Sequence, residues 1–326
     1  MTLQQLWEDG RKQLQRAGIR ECDLDAKYLL LEAFDMDMAH FLVQRNDNLK
    51  SDDSKVIKDV ACYLEWIEKR VKRIPLQYLT GKQEFMGLEF EVNEDVLIPR
   101  QDTETLAEWV ISRCPEKKER KALRLLDMCT GSGCIGISLF VLGGFRNVTA
   151  VDVSLPALRT AYKNGRKCIR DGFSHKAVTA AHRKISDSPW KAESHWYADR
   201  EKNILEGEFT WIESDLFQNL DKAFKYDIIV SNPPYIATGV IEGLEPEVKE
   251  YEPRLALDGN EDGLHFYRRL AEGGREYLAE NGKIFLEIGY DQGNAVAGLL
   301  EENGFTDIEA AKDGAGLDRV IYGRRL

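Results

Sequence analysis

The first seventy residues place apolar side chains at helical intervals. Leu3, Leu6, Trp7 and Leu14 recur every three or four positions, and Gly18 stands where a helix can end. Leu24 to Phe34, with its LLLEAF run, reads as a second helix. Over 51–73, Val56, Val60, Leu64, Ile67 and Val71 share one face, and Ser51, Asp52 and Asp53 suit a helix start. Residues 1–73 are therefore predicted to form a small helical domain, with partner binding as its natural role. Residues 74–100 change pattern: Pro75, Gly81, Gly87 and Pro99 punctuate short β signals at Phe85, Leu88, Phe90 and Val92, which predict a β-hairpin linker. From 101 onward helices and strands alternate. Strands are expected at 123–127, 147–153, 209–214, 226–232, 283–289, 305–311 and 318–324. Helices are expected at 102–113, 130–142, from Ser154, at 263–280 and at 291–303. Such alternation predicts an α/β domain over 101–326, with a mostly parallel seven-stranded sheet and ligands at the carboxyl ends of its strands.

One stretch breaks the rhythm. Residues 163–203 read as an insertion between a helix and a strand, and hold ten Lys/Arg against five Asp/Glu. The whole chain is acidic, at −11 over 326 residues, which argues against non-specific nucleic-acid binding and leaves the insertion as the one basic patch. A solvated excursion is the plain reading of it. Contact with an acidic partner surface or an rRNA segment is the sharper one. Cys168, His175, His182 and His195 match no usual zinc spacing, so no metal is expected. No apolar run approaches the roughly 18 residues of a membrane helix. The start, MTLQQLWEDG, carries no secretory pattern, so six scattered cysteines are expected to be free thiols in a cytoplasmic protein.

Two motifs carry chemistry. Cys129-Thr130-Gly131-Ser132-Gly133 follows the first strand of the alternating region and opens a helix; glycines there allow close approach of a ligand to backbone N–H groups. Asp152 lies 21 residues beyond Gly131, so a dinucleotide fingerprint also fits, as does a merely structural turn. Asp127, Asp152 and Asp215 each end a strand. Three acids round one crevice repel a pyrophosphate and favour a cationic adenosine ligand, namely S-adenosylmethionine. The second motif is Asn232-Pro233-Pro234-Tyr235 at another strand end. Two prolines stop the strand and fix carbonyl positions. The Asn232 side-chain carbonyl and the Pro233 backbone carbonyl can accept both hydrogens of an –NH2 group, and Tyr235 offers a flat face to a planar amide or base. That arrangement serves catalysis by positioning, without a strong base.

With these motifs the chain resembles the HemK/PrmC family of class I S-adenosylmethionine-dependent methyltransferases, which methylate the glutamine N5 of peptide chain release factors. The resemblance rests on 75–104, LDMCTGSGCIGISL (126–139), SNPPYI (231–236), 252–270, LEIGYDQG (286–293) and 312–324. It implies cofactor binding by Cys129 to Gly133, Asp152, Asp215, Leu216 and Asn232. It implies a substrate-amide site at Asn232, Pro233, Pro234 and Tyr235, bordered by Phe85 and by Ile98 to Glu104, which includes Arg100. The implied partner is a bacterial class I release factor, met by a monomer. Gln101 stands where the family usually has proline. The alternatives are a ribosomal-protein glutamine, an adenine N6 target in nucleic acid, a nicotinamide-dependent oxidoreductase, and a non-enzymatic binding module.

Overall fold

A computed structural model describes residues 1–50, 52–171, 191–198 and 205–326. The chain divides into two compact units, one of residues 1–82 with 245–251, the other of 83–244 with 252–326.

The first unit is helical. Thr2 begins it with a reciprocal cap: its hydroxyl accepts from the Gln5 N–H and the Gln5 side chain accepts from the Thr2 N–H. The helices Leu3–Arg16, Cys22–Ala33 and Ser54–Val71 form where expected, the last capped by Asp53, but its buried face runs through Tyr63, Ile67 and Arg70 and leaves Leu64 and Val71 of the predicted stripe exposed. Their stripes meet in a core of Leu3, Leu6, Leu14, Leu29, Leu30, Phe41, Tyr63 and Ile67. Two short helices, Met38–Gln44 and Leu76–Thr80, stand where no helix was expected. The second ends at Gly81 in the left-handed region, so the hairpin predicted from 74 begins only at 82. Arg70 lies buried in this unit, its Nε 2.7 Å from Asp25 and its Nη1 2.9 Å from Glu247 of the helix Pro246–Tyr251. Burial raises the Asp25 pKa despite Arg70.

The second unit opens with the hairpin. Strands β1 (Lys82–Phe85) and β2 (Leu88–Glu91) are joined by Met86 and Gly87, both at positive φ as a tight two-residue turn requires. The main sheet contains β3 (Arg124–Met128), β4 (Asn147–Asp152), β5 (Lys191–Ala198), β6 (Leu205–Glu213), β7 (Tyr226–Ser231), β8 (Leu278–Glu287), β9 (Phe305–Lys312) and β10 (Asp318–Arg325), in the order β5-β6-β4-β3-β7-β8-β10-β9. The run from β6 to β8 is parallel, and β10 and β9 close one edge antiparallel. All seven expected strands are present. An eighth, β5, pairs antiparallel with β6 and falls within the segment read as an insertion.

Strand alternation splits the core between the two faces of the sheet. Leu125, Val148, Ala150, Ile228, Val230 and Phe285 face one layer, which includes Phe85 and Phe90 of the hairpin. Leu126, Val151, Ile229, Ile284 and Leu286 face the other, under the helices His265–Tyr277 and Gly293–Glu302. The helix Leu155–Asp171 runs nine residues into the segment set apart from 163, because Asn164, Gly165, Cys168 and Ile169 are buried against the hairpin and the sheet. Apart from Lys191 in β5, the remaining basic residues of that segment, with His175 and His182, lie outside the described residues. Among the described residues no His/Cys/Asp/Glu group is arranged to hold a metal, all six cysteines are free, and no helix is long and apolar enough to cross a membrane.

Candidate active site

A cavity of about 340 Å³ opens over the carboxyl ends of β3, β4, β6 and β7, lined wholly by the second unit. The loop after β3 forms its floor. Cys129 (φ 60), Gly131 (φ 55) and Gly133 (φ 82) all adopt the left-handed region, costly for Cys129 and free for glycine. The Thr130 N–H donates to the Val151 carbonyl at 2.9 Å, pinning the loop to β4. A side chain at Gly131 would meet no protein atom within 4 Å, so space for a ligand lies against this backbone. At Gly133 a Cβ would come within 2.7 Å of Ile137 and 3.1 Å of Ala161, so the glycine there serves helix packing.

Asp152 ends β4 with both oxygens engaged by backbone: Oδ2 accepts from the Gly131 N–H at 2.8 Å and Oδ1 from the Ser154 N–H at 2.9 Å. It has no ion pair among the described residues, and burial raises its pKa. Ser154, not Asp152, caps the next helix by accepting from the Ala157 N–H. Asp215 lines the cavity beside Arg269, whose Nη1 is 2.8 Å away, and Leu216 follows at φ 50. Asp127 does not line the crevice. It lies under the loop, fully buried, its Oδ2 accepting from the Thr130 hydroxyl at 2.5 Å and from the Gly136 N–H at 3.0 Å. Burial pushes its pKa up to about 7. The Cys134 thiol is pushed up to about 12 and that of Cys129 rises as well, both by burial, so neither is a nucleophile at neutral pH.

The Asn-Pro-Pro-Tyr turn leaves β7 at the opposite wall. Ser231 donates its hydroxyl to the Met128 carbonyl at 2.7 Å, tying the ends of β7 and β3 together. Asn232 donates through Nδ2 to the Thr103 hydroxyl at 3.3 Å, which directs its Oδ1 away as a free acceptor. Asn232 and Pro234 line the cavity; Pro233 is buried behind them. Tyr235 is half-buried, its carbonyl accepting from Gln292 Nε2 at 3.0 Å, and its phenol pKa is raised by burial.

In the segment 98–104 four side chains each have a separate partner. Arg100 lines the cavity and pairs with the buried Glu252. Asp102 faces Arg319 at 3.3 Å, Thr103 holds Asn232, and Glu104 accepts from the Met86 N–H at 2.5 Å. Gln101 opens the 3-10 turn Gln101–Thr103, the first-turn position where proline fits as well.

Of the expected residues, Cys129 to Ser132, Asp152, Asp215, Leu216, Asn232, Pro234 and Arg100 meet round one cavity. Gly133, Pro233 and Tyr235 stand behind its wall. Phe85 does not border the site: it is 1% exposed and packs edge-on to Phe90. Sequence reasoning missed Asn164, whose amide accepts from the Glu91 N–H and donates to the carbonyls of Glu91 and Ser132, bolting the hairpin to the loop. It also missed Arg269 and Glu287, whereas Thr103 falls in the stretch 98–104 that the resemblance set at the border of the site. The only signal of the missed residues was proximity to the motifs.

The chain is 34% identical over 323 residues to a release factor glutamine methyltransferase of Geobacter sulfurreducens, covering 99% of this chain and 96% of that one. It is 33% identical to the enzyme of the same description from Clostridium botulinum over the full length of both. A solved protein-(glutamine-N5) methyltransferase (release factor-specific) from Alicyclobacillus acidocaldarius is 29% identical, covering 72% of this chain and 99% of that one at a TM-score of 0.37. Residues 5–81 match the family model of the PrmC N-terminal domain. The chain belongs to the release factor glutamine methyltransferase family.

Proposed function

We propose that this chain transfers a methyl group from S-adenosylmethionine to the side-chain amide nitrogen of the glutamine in the Gly-Gly-Gln motif of bacterial class I release factors. The observation that carries the reading is the Asn232 amide. Thr103 takes its N–H, so its Oδ1 is presented as an acceptor next to a cavity built for a nucleoside. The names of the relatives supply the substrate class.

The residues fit the cofactor. The cavity is within the usual range for a small-molecule site. Gly131 leaves open space against the loop, and the Asp152 carboxylate has no neutralising cation among the described residues, which suits a cationic ligand. Asp152 would hold the ribose hydroxyls, and Asp215 the adenine amino group or the ammonium. When bound, S-adenosylmethionine supplies an electrophilic methyl on sulfur, and leaves as S-adenosylhomocysteine.

The chain's own groups do the positioning. Asn232 Oδ1 and the Pro233 carbonyl accept the two hydrogens of the substrate amide and turn its nitrogen lone pair toward the methyl. Pro233 and Pro234 lack N–H groups that would compete for those acceptors. Tyr235, half-buried next to the turn and not part of the cavity lining, would offer its ring as a flat face to the substrate amide. The proton released on methylation passes to solvent, so the site needs no strong base. Free cysteines throughout suit work in a reducing cytoplasm.

The test is methyl transfer with labelled S-adenosylmethionine and a bacterial class I release factor, alongside a factor whose Gly-Gly-Gln glutamine is alanine. Label on the intact factor alone is expected. No label on either, with the cofactor still bound, moves the substrate to a ribosomal protein or a nucleic acid.

A further inference from the structure

Glu287 ends β8 as one of the most deeply buried carboxyls of the second unit, at 1% exposure. Ser231 pairs with Leu286 across the parallel ladder, so Glu287 lies level with Asn232 on the neighbouring strand. Thr103, 2% exposed, stands between them. Its hydroxyl accepts from Asn232 Nδ2, which leaves its own proton to be given to another acceptor. The Thr103 and Tyr235 hydroxyls lie close enough to the Glu287 carboxyl to favour its charged form. The buried Tyr267 hydroxyl donates to the Glu287 backbone carbonyl at 2.8 Å, which fixes this point of the strand. Glu287 Oε2 is buried without a hydrogen-bond partner. A carboxyl so placed is costly to fold, and no step described above uses it.

We propose that Glu287 is a positioning residue. Its carboxylate takes the Thr103 proton, thereby orients Thr103 to receive Asn232 Nδ2, and so presents Asn232 Oδ1 to the substrate amide while holding the Tyr235 ring beside it. This rests on the glutamine-methylation reading of the same site. The relay has a direction. An ionised Glu287 can only accept, so Thr103 must donate to it and Asn232 must donate to Thr103. A protonated Glu287 can donate to Thr103 instead, and Asn232 is then free to turn its amide round.

The groups facing Glu287 come from every element around it: Asp102 and Thr103 from the 3-10 turn, Tyr235 from the turn after β7, Tyr267 from the helix below, Cys134 from the loop helix, and Arg319 from β10. Arg319 is itself held by Asp313 and Asp102, which spends much of its charge. Burial outweighs these partners and raises the Glu287 pKa to about 7. Turnover should therefore be lost on the acid side of neutrality.

The experiment compares the full-length wild type, Glu287→Gln, Thr103→Val and the double variant. Turnover is measured at saturating S-adenosylmethionine and release factor over about pH 5.5 to 9. Each single variant should lower kcat by roughly 10- to 100-fold, the scale of a misplaced positioning group, with KM for S-adenosylmethionine changed less than about twofold. Glu287→Gln should also abolish the acid limb of the kcat profile, and the double variant should be no worse than either single one. Wild-type kcat with the acid limb intact in Glu287→Gln, or multiplying losses in the double variant, overturns the proposal. If Glu287→Gln folds poorly, Thr103→Val, which keeps the carboxyl, carries the same comparison. An independent readout is the 15N side-chain amide signal of Asn232, assigned by its loss in Asn232→Asp. It should be protected from exchange in the wild type above neutral pH and unprotected in both variants. That signal judges the relay even if the wild type methylates no release factor, an outcome that refutes only the functional reading.

Discussion

Asp127→Asn separates what a buried charge costs from what its hydrogen bonds contribute. In the folded chain the carboxyl is wholly enclosed, with two donors on Oδ2 and no partner on Oδ1. Its pKa rises from 3.8 to about 7 by burial, which the Thr130 and Gly136 donors only partly offset. A folded pKa above the unfolded one means that the folded state binds the extra proton. Stability contributed by the protonated group is complete below about pH 4 and is lost as pH rises toward 7. A gap of about 3 pH units at about 1.4 kcal/mol per unit makes this loss about 4 kcal/mol. Asparagine keeps an acceptor for Thr130 and Gly136 and cannot ionise, but it leaves a buried N–H2 where Oδ1 stood, at a cost of roughly 1–3 kcal/mol. Between pH 5 and pH 8 the variant should therefore gain roughly 2–3 kcal/mol of stability on the wild type, and it should be the more stable of the two at pH 8. Urea unfolding at both pH values measures this. A stability difference that stays constant between pH 5 and 8 would show that Asp127 is ionised at both, and would refute the reasoning.

Asn232→Ala should abolish methyl transfer while calorimetry still detects weakened S-adenosylmethionine binding; near-normal turnover would remove the amide-holding role. Asp152→Ala should weaken cofactor binding by roughly 1–3 kcal/mol, the worth of hydrogen bonds to a charged group, and an unchanged affinity would take Asp152 off the ribose. Asn164→Ala removes three hydrogen bonds, two to Glu91 of the hairpin and one, buried, to Ser132 of the cofactor loop. It should cost roughly 2–4 kcal/mol in denaturant unfolding and lower cofactor affinity too; a loss of stability alone would mean the loop does not depend on the bolt. Arg70→Leu strands the buried Asp25 carboxylate and takes one of two arginine partners from Glu247, which keeps Arg73, and should cost about 3–5 kcal/mol in thermal unfolding. A loss below about 1 kcal/mol would mean that the triad is solvated.

What was legible in the sequence was what repeats or stands out chemically. Apolar runs such as YDIIVSN and LRLLD mark strands buried on both faces, and the observed β7 and β3 lie there. The glycine loop and the double proline advertise their backbone needs at any distance from their partners. Polar residues that act only after folding gave no such sign. Asn164 sits on a strongly amphipathic helix, where a polar side chain reads as surface, yet it is wholly buried because two carbonyls come to meet it. Thr103 and Glu287 are 184 residues apart, so no local pattern could pair them. Phe85 shows the converse: an aromatic in a matching stretch was read as site and is core. The helices Met38–Gln44 and Leu76–Thr80 have seven and five residues, too few for a period to declare itself.

The placement of residues 245–251 has a consequence for how the protein is made. The partner that completes the Arg70 pair, Glu247, is 177 positions further along the chain. At about 5–20 residues added per second, roughly 10–35 s separate the synthesis of one from that of the other. During that interval the nascent helices hold Arg70 against Asp25 alone, while strands β1 to β7 have already been made. The N-terminal unit is thus begun first and finished late, and a chain cut anywhere before residue 251 leaves it without its last helix.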